Sequence, residues 1–174
     1  MGCMNRQKIT LIEPTSELEA EFLAMAEEYQ AAGDQRYESA HENFSAYLER
    51  LSNTARGANL PPGIVPENNF WLVLDNRLLG RSKLRHWLTP ELEYEGGHIG
   101  YDVRPSERRK GYGALLLELT LKRAKNLGLS RVLLTCDTDN IGSARIIEKN
   151  GGKHGGQAIS KRSGKLISQY WIKL

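Results

Sequence analysis

Apolar residues along this chain recur three and four positions apart in some stretches and at every second position in others. Those are the marks of amphipathic helices and half-buried strands. Lys8 to Ile12 alternates and predicts a first strand, closed by Pro14. Ser16 followed by Glu19 fits a capping box, and Leu18, Phe22, Met25, Ala26 and Tyr29 then share one helical face up to Gly33 and Asp34. Residues 33–42 are polar, have no period and predict no element. Asn43 to Leu51 predicts a helix striped by Phe44, Tyr47, Leu48 and Leu51, and the Pro- and Gly-bearing run from Gly57 to Asn69 predicts a loop. Phe70 to Leu74 and Leu78 to Leu88 predict two strands joined through Asp75-Asn76-Arg77.

Thr89 to Gly97 predicts a loop carrying Glu91, Glu93 and Glu95, and His98 to Val103 a strand. Ala114 to Leu127 predicts a helix with Leu115, Leu116, Leu119 and Leu127 on its apolar side and Glu118 and Lys122 four apart on its wet side; Gly128 stops it. Arg131 to Cys136 predicts a strand and Ile141 to Lys149 a helix ended by Asn150-Gly151-Gly152. Two last strands, near His154–Ile159 and Lys165–Ile172, pair through a turn at Ser163-Gly164. No segment repeats, and 174 residues suit a single domain, 1–174, with a substantial core.

Composition narrows the classes. An apolar share of 40% with 26% charged residues fits a folded soluble chain. A net charge of +3 is too small to suggest a nucleic-acid surface. Cys3 and Cys136 lie far apart with no ligand spacing, so neither a disulfide nor a metal site is expected, and a reducing, cytoplasmic compartment fits. No apolar run reaches the ~18 residues of a membrane span. Residues 1–8 hold no apolar leader, and Gly2-Cys3 lacks the Ser or Thr of an acylation signal.

One stretch has chemistry of its own. Arg104 to Gly113, RPSERRKGYG, carries four basic residues against one acid, a local charge of +3, and two glycines. It lies between a predicted strand and a predicted helix N-terminus. Unpaired N–H groups of a first helical turn and the helix dipole both attract an anion, and glycine lets the backbone approach it. No Gly-Lys-Ser/Thr follows, so this is not a P-loop, and the third glycine and distant acid of a dinucleotide fingerprint are missing. The turn suits a pyrophosphate.

Arg108-Arg109-Lys110-Gly111-Tyr112-Gly113 fits Arg/Gln-x-x-Gly-x-Gly/Ala, and Asn140-Ile141-Gly142-Ser143-Ala144-Arg145-Ile146-Ile147-Glu148-Lys149-Asn150-Gly151-Gly152 fits a second pattern downstream. Together they resemble motifs A and B of the GNAT superfamily of acyl-CoA-dependent N-acetyltransferases, in a bacterial branch of predicted acetyltransferases, over about residues 95–155. The resemblance implies an α+β (mixed α/β) fold. Its central, mostly antiparallel sheet would have about seven strands, flanked by helices and splayed between the fourth and fifth. It implies acetyl-CoA as co-substrate, no metal, and direct attack on the thioester by a primary amine of an unidentified small acceptor. No nucleic-acid or membrane partner is implied, and a homodimer is common in the family. Backbone around Arg109, Lys110, Gly111, Tyr112, Gly113 and Ala114, with the Arg108 side chain, would hold the pyrophosphate. Asp102 and Val103 would pair with the pantetheine arm, with the Val103 N–H meeting the developing oxyanion. Asn140 and Ser143 would touch the cofactor, Asn140 also serving as a helix cap.

The catalytic groups are less directly read. His98 takes a position where many family members carry a Glu base; it is either that base or a buttress in the core, with Glu95 in reserve. The usual acid, a Tyr of motif B, is replaced by Ile147, which has no proton to give. Tyr170 is the first substitute, with Tyr101 and Ser143 as others. The missing Tyr also leaves open a non-catalytic module that binds or senses CoA. The three glutamates of residues 91–95 form either a solvated face or an attractor for a cationic amine.

Overall fold

The computed structural model describes residues 8–174; the Gly2-Cys3 signal and the leader question lie outside them. Two antiparallel sheets meet side by side. The first has strands β1 (Ile9–Ile12), β2 (Glu67–Leu74), β3 (Arg77–Arg85) and β4 (Ile99–Val103) in that order. The second places β7 (Leu166–Lys173) between β5 (Arg131–Asp137) and β6 (Lys153–Ile159). Seven strands flanked by helices, broken between the fourth and fifth, agree with the architecture that the motifs imply.

Helices α1 (Glu19–Ala31), α2 (Glu38–Glu42) and α3 (Phe44–Arg56) pack on one face of the first sheet. Their aromatic core is built from Phe22, Tyr29, Tyr37, Phe44, Tyr47 and Trp71, with Phe22 stacked on Trp71 at 5.0 Å. On the other face, α5 (Tyr112–Asn126) buries Leu115, Leu116, Leu117 and Ala124 against Leu72, Leu79, Leu84, Ile99, Val132 and Leu134. Each fully buried Leu contributes roughly 1.5–3 kcal/mol. Two short elements complete the chain: α4 (Pro90–Tyr94) and α6 (Ile141–Lys149). No helix among the described residues is long and apolar enough to cross a membrane.

The structure departs from the pattern reading where elements are short or capped unexpectedly. Thr15, not Ser16, caps the first turn: its side chain accepts from the Glu17 N–H, and a 3-10 turn (Ser16–Leu18) precedes α1. Helices α2 and α4 occupy stretches expected to be irregular; five residues are too few to show a period. α3 runs to Arg56, where Gly57 ends it at φ 68°. Leu127, expected on the apolar side of α5, is 42% exposed.

Buried charge ties α1 to the end of β4. Arg104 is 4% exposed and donates to Glu21 (2.8 Å) and Glu28 (2.6 Å), both on α1. Glu28 also accepts the Ser106 N–H, so the chain leaves β4 in a direction set by that helix.

Candidate active site

β4 and β5 meet at one end and part at the other. His98 donates its backbone N–H to the Leu133 carbonyl at 2.7 Å, and its Nδ1 accepts the Leu133 N–H at 3.0 Å. No ladder continues from there, since the two strands belong to separate sheets. The opening is a gap of about 670 Å³ lined by β4 residues 101–103, the start of α5, the face of α6, and Tyr29 and Arg36.

Strand register decides which backbone groups face the gap. Opposed residues of an antiparallel pair alternate between bonded and non-bonded. The Arg104 N–H donates to Leu79 O (2.9 Å) and the Arg85 N–H to His98 O (2.8 Å). Gly100 and Asp102 therefore exchange bonds with β3, while Tyr101 and Val103 turn their N–H groups to the gap. Asp102 was expected to offer backbone to the pantetheine arm; the register turns its N–H to β3 and that of Tyr101 to the gap. The Val103 carbonyl already accepts the Tyr29 hydroxyl (2.8 Å) and Arg108 Nε (3.3 Å), leaving its N–H.

The turn after β4 ends in a bare helix start. Gly111 stands at the N-cap with φ 86° and no side-chain cap, so the N–H groups of Tyr112, Gly113 and Ala114 lack helical partners. A Cβ on Gly113 would stand 2.7 Å from Ile146 Cδ1 and 3.4 Å from Val103 Cγ2, so this residue sets how closely α5 approaches α6 and β4. Arg36, Arg108, Arg109, Arg145 and Lys149 line the gap against one carboxylate, Asp102. Arg36 is paired with Asp34 and Asp102, and an uncapped N-terminus with Arg108, Arg109, Arg145 and Lys149 lining the same gap fits the diphosphate of a CoA molecule. Lys110 turns away: its Nζ pairs with Glu107 at 2.8 Å. The Tyr112 side chain packs against the core and is not among the residues that line the gap.

Asn140 caps α6 by accepting the Ser143 N–H at 3.1 Å, and both residues line the gap. The Tyr101 hydroxyl lies 2.9 Å from Ser143 Oγ, bridging β4 and α6; burial pushes its pKa up to about 12. Tyr170 is buried in the core beside His154, outside the residues that line the gap.

Tyr29, Arg36, Arg145 and Lys149 were not singled out from the sequence. Arg145 and Lys149 stand one turn apart on α6, a spacing that could have revealed them. Tyr29 and Arg36 reach the gap only through the fold.

A model of the acetyltransferase (GNAT) domain matches residues 8–153. The chain belongs to the GNAT family. The GNAT fold is repeated in solved structures of low identity. The putative acetyltransferase yncA of Salmonella typhimurium, with acetyl-CoA, is 15% identical with a TM-score of 0.65, over 96% of this chain and 94% of that one. The Salmonella typhimurium acetyltransferase that modifies the N-terminal serine of ribosomal protein L7/L12 is 13% identical with a TM-score of 0.71, over 96% and 95%. A chimera of Vibrio cholerae spermidine N-acetyltransferase SpeG and hSSAT is 18% identical with a TM-score of 0.67, over 95% of both chains. No curated protein sequence matches the chain significantly.

Two catalytic expectations change within this GNAT frame. The Nδ1 lone pair of His98 is occupied by Leu133, and burial, then the charges of Arg85 and Arg131, lower its pKa to about 4. A base needs that lone pair free, so the ring acts as the seam between sheets. Glu95 accepts from Ser160, the Lys161 N–H and Arg162, contacts that lower its pKa, and it is not placed to draw in an amine.

Proposed function

We propose that this protein transfers the acetyl group of acetyl-CoA to a primary amine by direct attack, with both substrates bound together. The observation that carries the reading is the uncapped start of α5 opening onto a cation-lined gap between β4 and β5. Acetyl-CoA supplies a thioester there. The first-turn N–H groups with Arg108 and Arg109 hold its diphosphate, and Arg145 and Lys149 add charge from α6. The Val103 N–H donates to the thioester oxygen as it gains charge. The proton of the incoming amine passes to water; Asp102, the carboxylate lining the gap, is held by Arg36, Arg81 and the Tyr37 hydroxyl and braces the wall.

The Tyr101 and Ser143 hydroxyls supply what Ile147 cannot. Tyr101 stays protonated through neutral pH and can pass a proton toward a departing thiolate. This pair supports catalysis over a purely CoA-sensing module. The paired state of Glu95 leaves Glu91 and Glu93 of that segment to attract a cationic acceptor.

Acetyl-CoA titrations on wild type and Gly111→Asp, with thiol release on an amine panel, test the reading. Micromolar binding that weakens at least about tenfold in the variant, with turnover on some amine, is expected. Equal affinity in a folded Gly111→Asp would reject the diphosphate assignment.

A further inference from the structure

Tyr29 closes the buried stripe of α1, after Phe22, Met25 and Ala26. It is buried, and the Tyr37 ring meets it edge-on at 5.3 Å, so the core fixes the plane of its ring. The side chain reaches from that core to the gap, where it lines the wall with Val103 and Arg108. Its hydroxyl donates to the Val103 carbonyl at 2.8 Å. Burial raises the pKa of this phenol, so it stays a donor through neutral pH.

The Val103 carbonyl is the last of β4, and the register turns it away from β3. It has no strand partner there. Tyr29 supplies a donor from a helix seventy-four positions away, and the end of β4 is held where the chain turns toward α5.

Arg108 is held by the same pair of residues. It is exposed and makes no ion pair among the described residues. A loose arginine samples many rotamers, and ordering it when an anion binds costs affinity. Two contacts order it beforehand. Its Nε donates to the Val103 carbonyl at 3.3 Å, and its guanidinium carbon lies 5.5 Å from the Tyr29 ring centroid. A ring face attracts a guanidinium without using up its N–H groups. Arg36 stands over the same ring at 4.9 Å, but Asp34 and Asp102 pair with it. Arg108 is the cation on this ring that is left for a ligand.

We infer that Tyr29 is a positioning residue for the cofactor: its hydroxyl pins the end of β4 and its ring presents Arg108 to the diphosphate. This rests on the acetyl-CoA reading and adds to it a residue of α1 that acts through Arg108.

The test is a double-mutant cycle on the full chain, with the acetyl-CoA Kd measured by calorimetry. Tyr29→Leu removes the ring face and the hydroxyl; Tyr29→Phe keeps the ring and removes only the hydroxyl, and carries the test if the Leu variant does not fold. Tyr29→Leu should raise Kd about tenfold and Tyr29→Phe about threefold. On an Arg108→Ala background each should leave Kd within about twofold, because the residue they act through is gone. The Kd of Tyr29→Leu should also rise less steeply with KCl than that of wild type, as one ordered charge is lost. A merely structural tyrosine would weaken binding equally on both backgrounds. Equal losses with and without Arg108, or a Kd unmoved in both Tyr29 variants, overturn the inference and leave the acetyl-CoA reading standing. If Arg108→Ala alone leaves Kd unchanged, the diphosphate role of Arg108 falls, and the inference falls with it.

Discussion

The His98 ring accepts the Leu133 N–H while the His98 backbone donates to the Leu133 carbonyl, so one residue makes two bonds across the seam between the sheets. Burial, with Arg85 and Arg131, depresses the folded pKa to about 4, whereas an unfolded chain takes up the proton near 6.5. The neutral ring therefore adds stability that is complete above pH 6.5 and is lost as pH falls toward 4. The amount is ~3 kcal/mol at most. His98→Asn places an amide oxygen where Nδ1 accepts. Urea midpoints of wild type should fall between those pH values more steeply than those of the variant. Turnover near pH ~8 should stay within about threefold. A loss of a hundredfold or more would return the base role to His98.

Gly113 and Ile146 test the helix approach that shapes the diphosphate site. A methyl on Gly113 would meet the Ile146 Cδ1 at 2.7 Å. That contact is with the end of a flexible side chain, so Gly113→Ala should cost only ~1 kcal/mol and weaken acetyl-CoA binding several-fold by moving α5 off α6. Ile146→Val removes the offending carbon. The double variant should recover most of the affinity, and a double-mutant cycle read by calorimetry and thermal melting checks the coupling. Additive losses would separate the two residues.

What could be read from the sequence is local. The turn from Arg104 to Gly113 shows its glycines, charges and flanking periods within one short stretch, so its anion-binding character needs no distant contact. The part played by His98 depends on Leu133, thirty-five positions away, and nothing near His98 announces it. Asp102 and Val103 are neighbours in sequence, yet pairing with β3 turns their backbones to opposite sides. Lys110 looks like Arg108 and Arg109 in the sequence, but Glu107 draws it off the site. Helices of five residues, such as α2, are too short for periodicity to detect.

Arg104 supplies a stability prediction. It is 4% exposed and serves two acids on α1, so removing it strands Glu21 and Glu28 beside a buried face. Arg104→Met should cost about 3–5 kcal/mol. Arg104→Lys should recover little, because one ammonium lacks the forked geometry that meets both carboxylates. Thermal melts of the two variants check this; a Lys variant as stable as wild type would show that charge alone suffices.

The hydroxyl pair of Tyr101 and Ser143 bears most directly on the chemistry. Their oxygens are 2.9 Å apart, both residues line the gap, and the phenol, with its pKa pushed up to about 12, still holds its proton where an amine acceptor first becomes deprotonated. A proton donor to a departing thiolate should therefore show no loss of kcat from its own ionisation up to pH ~10. Tyr101→Phe keeps the ring in place and removes the donor. It should lower kcat by ~10²-fold with KM for acetyl-CoA little changed, since the lost interaction acts on the thiolate as it leaves. Ser143→Ala should have a smaller effect, because it leaves the phenol in reach while removing its hydrogen-bond partner. Using an acyl donor with a lower-pKa thiol should rescue Tyr101→Phe, as a better leaving group needs less protonation. A Tyr101→Phe enzyme with full kcat on acetyl-CoA would assign proton delivery to water and leave the hydroxyl pair a brace between β4 and α6.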